Sequence, residues 1–380
     1  MQIPGGWLAD RYGGKSLVGG TVLLSSFITL MSPVAARVHL GVFLLLRILL
    51  GLVAGFLFPA IHTLIARWSA PKNRSLVVST IYLGVGAGIV VAMTLSGMLC
   101  DQRRFAGGWP SVFYAFGAFG CLWSAVWSLL VHDSPSTHPR MSSAEREYWE
   151  TAVGRGADAV DRSQRLPWRR LLASAPVWAL ATAFAANAWG FTTLASCVPM
   201  FMHDVLGFDM TKNGLLSAVP FSAAVLLIPV GWFADRLRSP PCRMSTNVVR
   251  KLFLAAGFVL TGGLLALAGY AGCDRFLAVA LMFLAVASTS LSFSVVSVNQ
   301  LDLSPPHAGK IMGLTNAVAC LAQIAAPHVV GAMTYHRSTR SEWQHVFFLA
   351  AGVYAFGTVV FVVFGSGNRL KWQNRLNVNE

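Results

Sequence analysis

The 380-residue chain is 55% hydrophobic and only 12% charged, with a formal net charge of +14 and a mean hydropathy of +0.60. Soluble domains carry roughly 25% charged residues, so this balance excludes an ordinary soluble enzyme and points to a polytopic protein of the lipid bilayer. The cations lie between apolar runs rather than on a solvated face interleaved with aromatics, so no nucleic-acid partner is expected.

In chain order, residues 1–8 (MQIPGGWL) are expected to be the last turns of a further span, followed by a charged stretch, GWLADRYGGK, at 6–15. Apolar windows able to cross about 30 Å of hydrocarbon then fall at 17–36, 40–66, 75–100, 109–132, 176–202, 214–234, 252–272, 276–298, 308–334 and 343–365. Alternate loops divide the cations 21 to 7, with Arg47 left inside a span. Basic loops stay cytoplasmic, so the opening stretch and the C-terminus are expected on that side, as is the sequon that begins at Asn73. The expected organisation is an N-terminal bundle at 1–132, a cytoplasmic amphipathic linker at 133–175, a C-terminal bundle at 176–365 and a cytoplasmic tail at 366–380. Within the linker, SSAEREYWETAV offers a serine cap followed by helical acids.

Residues 231–238 read GWFADRLR against GWLADRYG at 6–13, sharing Gly, Trp, Ala, Asp and Arg in register at an offset of 225. Two halves repeating in parallel put equivalent loops on one side of the membrane. The residue types suit a latch on the cytoplasmic face. Gly6 and Gly231 permit close helix approach, Asp10 and Asp235 can cap a neighbouring helix N-terminus, and Arg11 and Arg236 can bind a carboxylate or a helix C-terminus. Gly14 and Lys15 complete the first copy. The alternative is a set of loop charges that simply obeys the positive-inside rule.

Arg47, in LLLRILLG, is the one charged side chain well inside a span, and no Asp or Glu lies in any span to pair with it. An unpaired Arg at mid-bilayer costs at least about 2.5–3.5 kcal/mol on insertion scales, which favours a watery cavity or a ligand beside it. Its guanidinium would form a bidentate fork for a carboxylate or phosphate; the alternative is a side chain that snorkels to the outer face. Tyr82, Asn187, Trp189 and Asn316 are further polar or aromatic groups inside spans, open to either substrate contact or interhelical bonding. His62 is expected further along the same helix as Arg47, as an interfacial hydrogen-bonded residue or a gate. The cysteines are scattered without metal-ligand spacing, so no metal and no cofactor is expected. No paired carboxylates or nucleophile–base set suggests an enzyme.

GWLADRYGGKS resembles the loop signature between the second and third helices of the major facilitator superfamily, and GWFADRLR its echo between the eighth and ninth. The ordered blocks QIPGGWLADR, RILLGLVAGFLFPAIH, GGWPSVFYAFGAFGCLW, HDSPSTHPRMSSAEREY, PVWALATAFAANAWGF, LGFDMTKNGLLSAVP, VNQLDLSPPHAGKIMGLTNA and EWQHVFFLAAGVYAFG resemble the branch of anion transporters grouped with sialin, the vesicular glutamate transporters and the sodium-phosphate cotransporters.

The resemblance implies an all-α membrane protein of two pseudo-symmetric helix bundles, with about ten complete transmembrane helices here and with helix one and most of helix two absent. It implies a monomer that moves a small anionic substrate by alternating access, in a plasma, lysosomal or vesicular membrane. Arg47 stands where the family carries a substrate-binding Arg, and His62 matches as well. Three positions depart from the pattern. Ala54 replaces the Glu tied to proton coupling in the glutamate and sialin branches, Asn187 replaces an Arg of the glutamate branch, and NQLD at 299–302 replaces NHLD. These imply sialate-like carboxylates, phosphate or urate ahead of glutamate or a nucleotide, and leave coupling to H+ or Na+ open. A transport-inactive truncated isoform or a solute sensor is the alternative.

Overall fold

A computed structural model describes residues 1–69, 73–101, 108–135, 138–139, 141–145, 147, 149, 168–204, 222–270, 275–334 and 340–370. Among these the regular structure is helical: α1 (Gln2–Tyr12), α2 (Gly14–Val38), α3 (Leu40–Ala54), α4 (Leu57–Trp68), α5 (Arg74–Asp101), α6 (Trp109–Leu130), α7 (Trp168–Leu172), α8 (Ala175–Asp204), α9 (Leu227–Arg238), α10 (Thr246–Tyr270), α11 (Arg275–Val296), α12 (Asn299–Leu303), α13 (Ala308–Thr334) and α14 (Arg340–Phe364). Eight stretches among the described residues are long and apolar enough to cross a membrane. The expected window at 176–202 forms the continuous helix α8 but is not one of the eight; Asn187 and the Thr192–Thr193 pair dilute its apolar character. Much of the window at 214–234, the block at 206–220 and most of the linker lie outside the described residues. The linker's Ser142 does act as a cap, accepting from Glu145 N at 3.3 Å while Glu145 Oε2 accepts from Ser142 N at 3.1 Å.

The chain divides into two compact units whose borders interleave along the sequence. The first holds Met1–Pro71, Leu95–Leu166 and Ser304–Leu314; the second holds Lys72–Thr94, Pro167–Leu303 and Thr315–Glu380. The second unit therefore includes most of α5, as far as Thr94, and the first includes the opening turns of α13, as far as Leu314.

In the first unit, α2 packs on α6 through small residues, because lipid tails give apolar helices no reason to associate and close backbone contact must supply it. A Cβ on Gly117 would lie 2.6 Å from Leu30 Cγ, and one on Gly19 would lie 3.0 Å from Trp127. Ser124 Oγ donates to the Gly19 carbonyl at 2.8 Å across the same seam. Ala9, Val18, Ala60 and Leu64 form the buried core where α1, α2 and α4 meet. Gly13, at φ 89°, turns α1 into α2 in a conformation that side-chain-bearing residues rarely adopt.

The single helix expected over 40–66 is two helices, α3 and α4, interrupted at Gly55–Phe56. The cause is Pro59, whose ring excludes the carbonyl four residues earlier, that of Gly55, from the helical ladder. Arg47 and His62 consequently lie on separate helices. No residue of α3 is buried, and Leu44, Leu45 and Ile48 are exposed, as expected for a face turned to lipid.

In the second unit, α10 packs on α11 and α14, and α14 on α8. Its core holds Phe258, Trp343, Phe347, Tyr354 and Phe361, all essentially inaccessible. Glycines again set the approach: a Cβ on Gly257 would meet the Ser292 amide at 2.5 Å, and one on Gly357 would meet Ala186 Cβ at 2.9 Å.

Candidate functional site

Arg47 sits midway along α3 and is half-buried. Its guanidinium carbon lies over the ring of Phe43, one turn earlier, at 4.8 Å and over Phe113 of α6 at 5.0 Å. Nε and Nη2 are both buried, and neither has a hydrogen-bond partner among the described residues. Those two N–H groups share one edge of the planar guanidinium and point the same way. That edge is the fork by which arginine grips two oxygens of one carboxylate or phosphate. The side chain is therefore a fixed cation with its bidentate edge unused.

The other candidates belong to the second unit. Tyr82 on α5 is 5% exposed and meets Phe293 edge-on at 4.9 Å. Asn187 on α8 is buried, with an Oδ1 that has no partner among the described residues. One turn later Gly190 leaves room for the buried Tyr354 hydroxyl, which also has no partner among the described residues. Trp189 and Asn316 are half-buried on α8 and α13. His62, in the first unit, is fully buried on α4, its Nδ1 donating to the Phe58 carbonyl at 3.1 Å.

The two charged repeats build two junctions of the same plan with different partners. In the first, a Cβ on Gly6 would lie 2.6 Å from the Gly309 carbonyl oxygen, so α1 and the start of α13 touch backbone to backbone. Asp10 pairs with a side chain there: its Oδ2 accepts from Lys310 Nζ at 2.9 Å. The cap of α2 comes instead from Asp133, whose Oδ1 accepts from the Lys15 amide at 2.9 Å and lies 3.8 Å from Arg67 Nη1. Gly14 lets α2 cross α4, since a Cβ there would sit 2.9 Å from the Ala60 carbonyl. Among the described residues Arg11 binds no carboxylate; it is exposed, over the rings of Trp7 at 5.4 Å and Tyr12 at 5.6 Å on its own helix. Helix phase explains this, because Gly6 and Asp10 share the inner face while Trp7 and Arg11 share the outer one.

In the second junction, a Cβ on Gly231 would lie 2.8 Å from the Ser75 carbonyl. Asp235 does cap a neighbouring helix, its Oδ2 accepting from the Leu76 amide at 2.9 Å in the first turn of α5. Arg236 is exposed and donates to the Pro240 carbonyl rather than to an acid. Behind this junction Asp302 accepts from Arg250 Nε at 2.8 Å and lies 3.8 Å from Arg74 Nη1, while Arg250 also donates to Ser75 Oγ at 2.9 Å. Sequence reasoning missed Asp133, Arg250, Asp302 and Lys310. One available signal was a second echo, SAPKNRSLVVS at 69–79 against SPPHAGKIMGL at 304–314, which puts Ser75 and Lys310 at equivalent places.

Asp10 and Asp235 lie beyond the apolar windows, and burial pushes both carboxyls above the ordinary carboxylate range. Lys310 and Arg67 oppose the shift at Asp10; Ser75, Leu76, Arg250 and Arg238 oppose it at Asp235. A raised pKa means that the packed junction binds the proton more tightly than one with the carboxyl in water. Acidification through the raised value therefore favours the packed form, and the gain is complete once pH falls below the ordinary value of about 4. Hydrogen exchange of α1, corrected for intrinsic rates, is expected to slow over that interval, with a weaker pH response in Asp10→Asn. Exchange that quickens on acidification contradicts this sign.

Long apolar helices, an unpaired guanidinium within one of them and two repeated polar junctions define a multi-pass helical membrane protein with an internal repeat. The chain belongs to the major facilitator superfamily, whose family model matches residues 1–248. It is 38% identical over 382 residues to vesicular glutamate transporter 3 of Danio rerio, which aligns with 100% of this chain; the chain spans 64% of that relative's length. It is also 38% identical to vesicular glutamate transporter 1 of Bos taurus, spanning 67% of it. Among solved structures, the proton:xylose symporter XylE superposes with a TM-score of 0.74 at 15% identity, over 99% of this chain and 86% of that one. The human organic anion transporter MFSD10 superposes with a TM-score of 0.66 at 16% identity, over 94% and 79%. At those identities the solved structures speak for the fold alone.

Proposed function

We propose that the chain is a secondary transporter of small oxyanions that works by alternating access. The observation that carries the reading is the buried Nε–Nη2 edge of Arg47 in an apolar helix, without a partner among the described residues. A charge held there costs several kcal/mol unless an anion offsets it, and its geometry selects ligands that present two oxygens in one plane. The relatives' names support an anionic substrate of the carboxylate class. Within that class, Asn187 in place of a cation favours sialate-like acids, phosphate or urate over glutamate, and Ala54 speaks against a membrane carboxylate as the proton carrier. The junctions at Asp10 and Asp235 are contacts that release when the helices they join move apart. The experiment is an uptake screen in reconstituted vesicles with labelled phosphate, sialate, urate and glutamate, each with and without H+ and Na+ gradients. Saturable uptake of one or more oxyanions is the expected result. Uptake of glutamate alone would move the substrate to that of the named relatives, and no saturable uptake of any of the four would overturn the transport reading.

A further inference from the structure

We propose that Phe43 and Phe113 are positioning residues for the Arg47 fork and, through it, determinants of which anions the chain accepts. The proposal rests on the reading of Arg47 as the substrate ligand. Nothing else on α3 holds this side chain: the helix has no buried residue, and a long arginine side chain with four rotatable bonds reaches toward water when left free. What holds it is the pair of rings at 4.8 and 5.0 Å, inside the roughly 6 Å range over which an aromatic face attracts a cation.

The chemistry of the holders matters. A carboxylate at the same place would neutralise the charge and occupy the N–H groups that the ligand needs. An aromatic face attracts the same charge and accepts neither hydrogen bond, so the fork is fixed and both donors stay available. Phe113 is itself braced by Trp109, edge-on at 5.6 Å and 89° between planes. The arrangement leaves the Nε–Nη2 edge as the recognition element. Two coplanar oxygens each meet one N–H vector head-on, whereas a single-atom anion shared between the two bends both hydrogen bonds to about 150°, so the fork favours oxyanions.

The decisive experiment is equilibrium binding of labelled inorganic phosphate, sialate and glutamate to the purified full chain, with chloride as the single-atom competitor. Phe113→Leu keeps most of the bulk and removes the π face. Stepwise fluorination of Phe113 keeps the shape and weakens the face by degrees. The expected result is a dissociation constant about three- to tenfold higher in Phe113→Leu, a graded rise with each fluorine, recovery in Phe113→Trp, and a narrower margin of oxyanion over chloride. If Phe113→Leu does not insert, the fluorinated series decides alone, because packing is unchanged in it. Unchanged affinity across that series overturns the proposal. Arg47→Ala is measured beside it: binding lost there with a flat Phe113 series removes the positioning role and leaves the transporter reading standing. Binding retained in Arg47→Ala, or none in the unsubstituted chain, removes both.

Discussion

Arg47→Leu is expected to abolish anion uptake while leaving the chain at least as stable as before, and Arg47→Lys is expected not to restore uptake. The two halves of this result follow from one pair of magnitudes. Placing an arginine at mid-span costs about 2.5–3.5 kcal/mol on insertion scales, and leucine there is favourable, so the substitution helps insertion. Arg47 has two aromatic neighbours and, among the described residues, no acid to offset that cost. Function moves the other way, because each charge-assisted hydrogen bond to the anion is worth about 1.5–3 kcal/mol, so losing two weakens binding roughly a hundredfold or more. Lysine keeps the charge but presents a rotating point donor instead of a planar fork. Uptake in vesicles and thermal unfolding in detergent measure the two arms. A variant that loses uptake and unfolds earlier would mark Arg47 as a structural residue.

Asp302→Ala is expected to be the most damaging single change to stability. Arg250 is fully buried and Arg74 is 5% exposed, and Asp302 is the carboxylate that both approach. Removing one partner of a buried ion pair costs about 3–5 kcal/mol, because the remaining charge has no solvent to turn to. The neutral acceptors, Ser75 Oγ for Arg250 and the Leu301 carbonyl for Arg74, satisfy hydrogen bonds but not charge. Low yield of folded protein and a large drop in unfolding temperature are the expected readouts. The double variant Asp302→Leu with Arg250→Met should recover part of the loss, since apolar side chains of similar volume often replace a buried pair without cost. An Asp302→Ala protein that unfolds with the unsubstituted chain would contradict this account of the cluster.

Much of the architecture was legible because it is local. The apolar windows, the unpaired Arg47 and the charged repeat are each visible within a few turns of sequence. The break between α3 and α4 was equally local, since Pro59 sits four residues after Gly55; window hydropathy is blind to it because proline does not interrupt an apolar run. Helix phase could also have shown that Arg11 faces away from Asp10. The partners of the repeats were not legible in this way. Lys310 and Asp10 are 300 positions apart, and Asp302 and Arg74 are 228 apart. Only tertiary packing brings such pairs together, and loop charges that satisfy the positive-inside rule look alike whether or not they pair. Asp133 was read as the start of a linker, yet it caps α2 from 118 positions away. The rings beside Arg47 were hidden for a different reason: a phenylalanine in an apolar span carries no sign that its face holds a cation.

The most direct measurement is the nitrogen resonance of the Arg47 side chain in the reconstituted chain, assigned by its absence in Arg47→Lys, as phosphate, sialate or glutamate is titrated in. A saturable shift of Nε and Nη2 is expected for at least one of these oxyanions, at the concentration that half-saturates uptake. Saturable uptake with both nitrogens unmoved would contradict it.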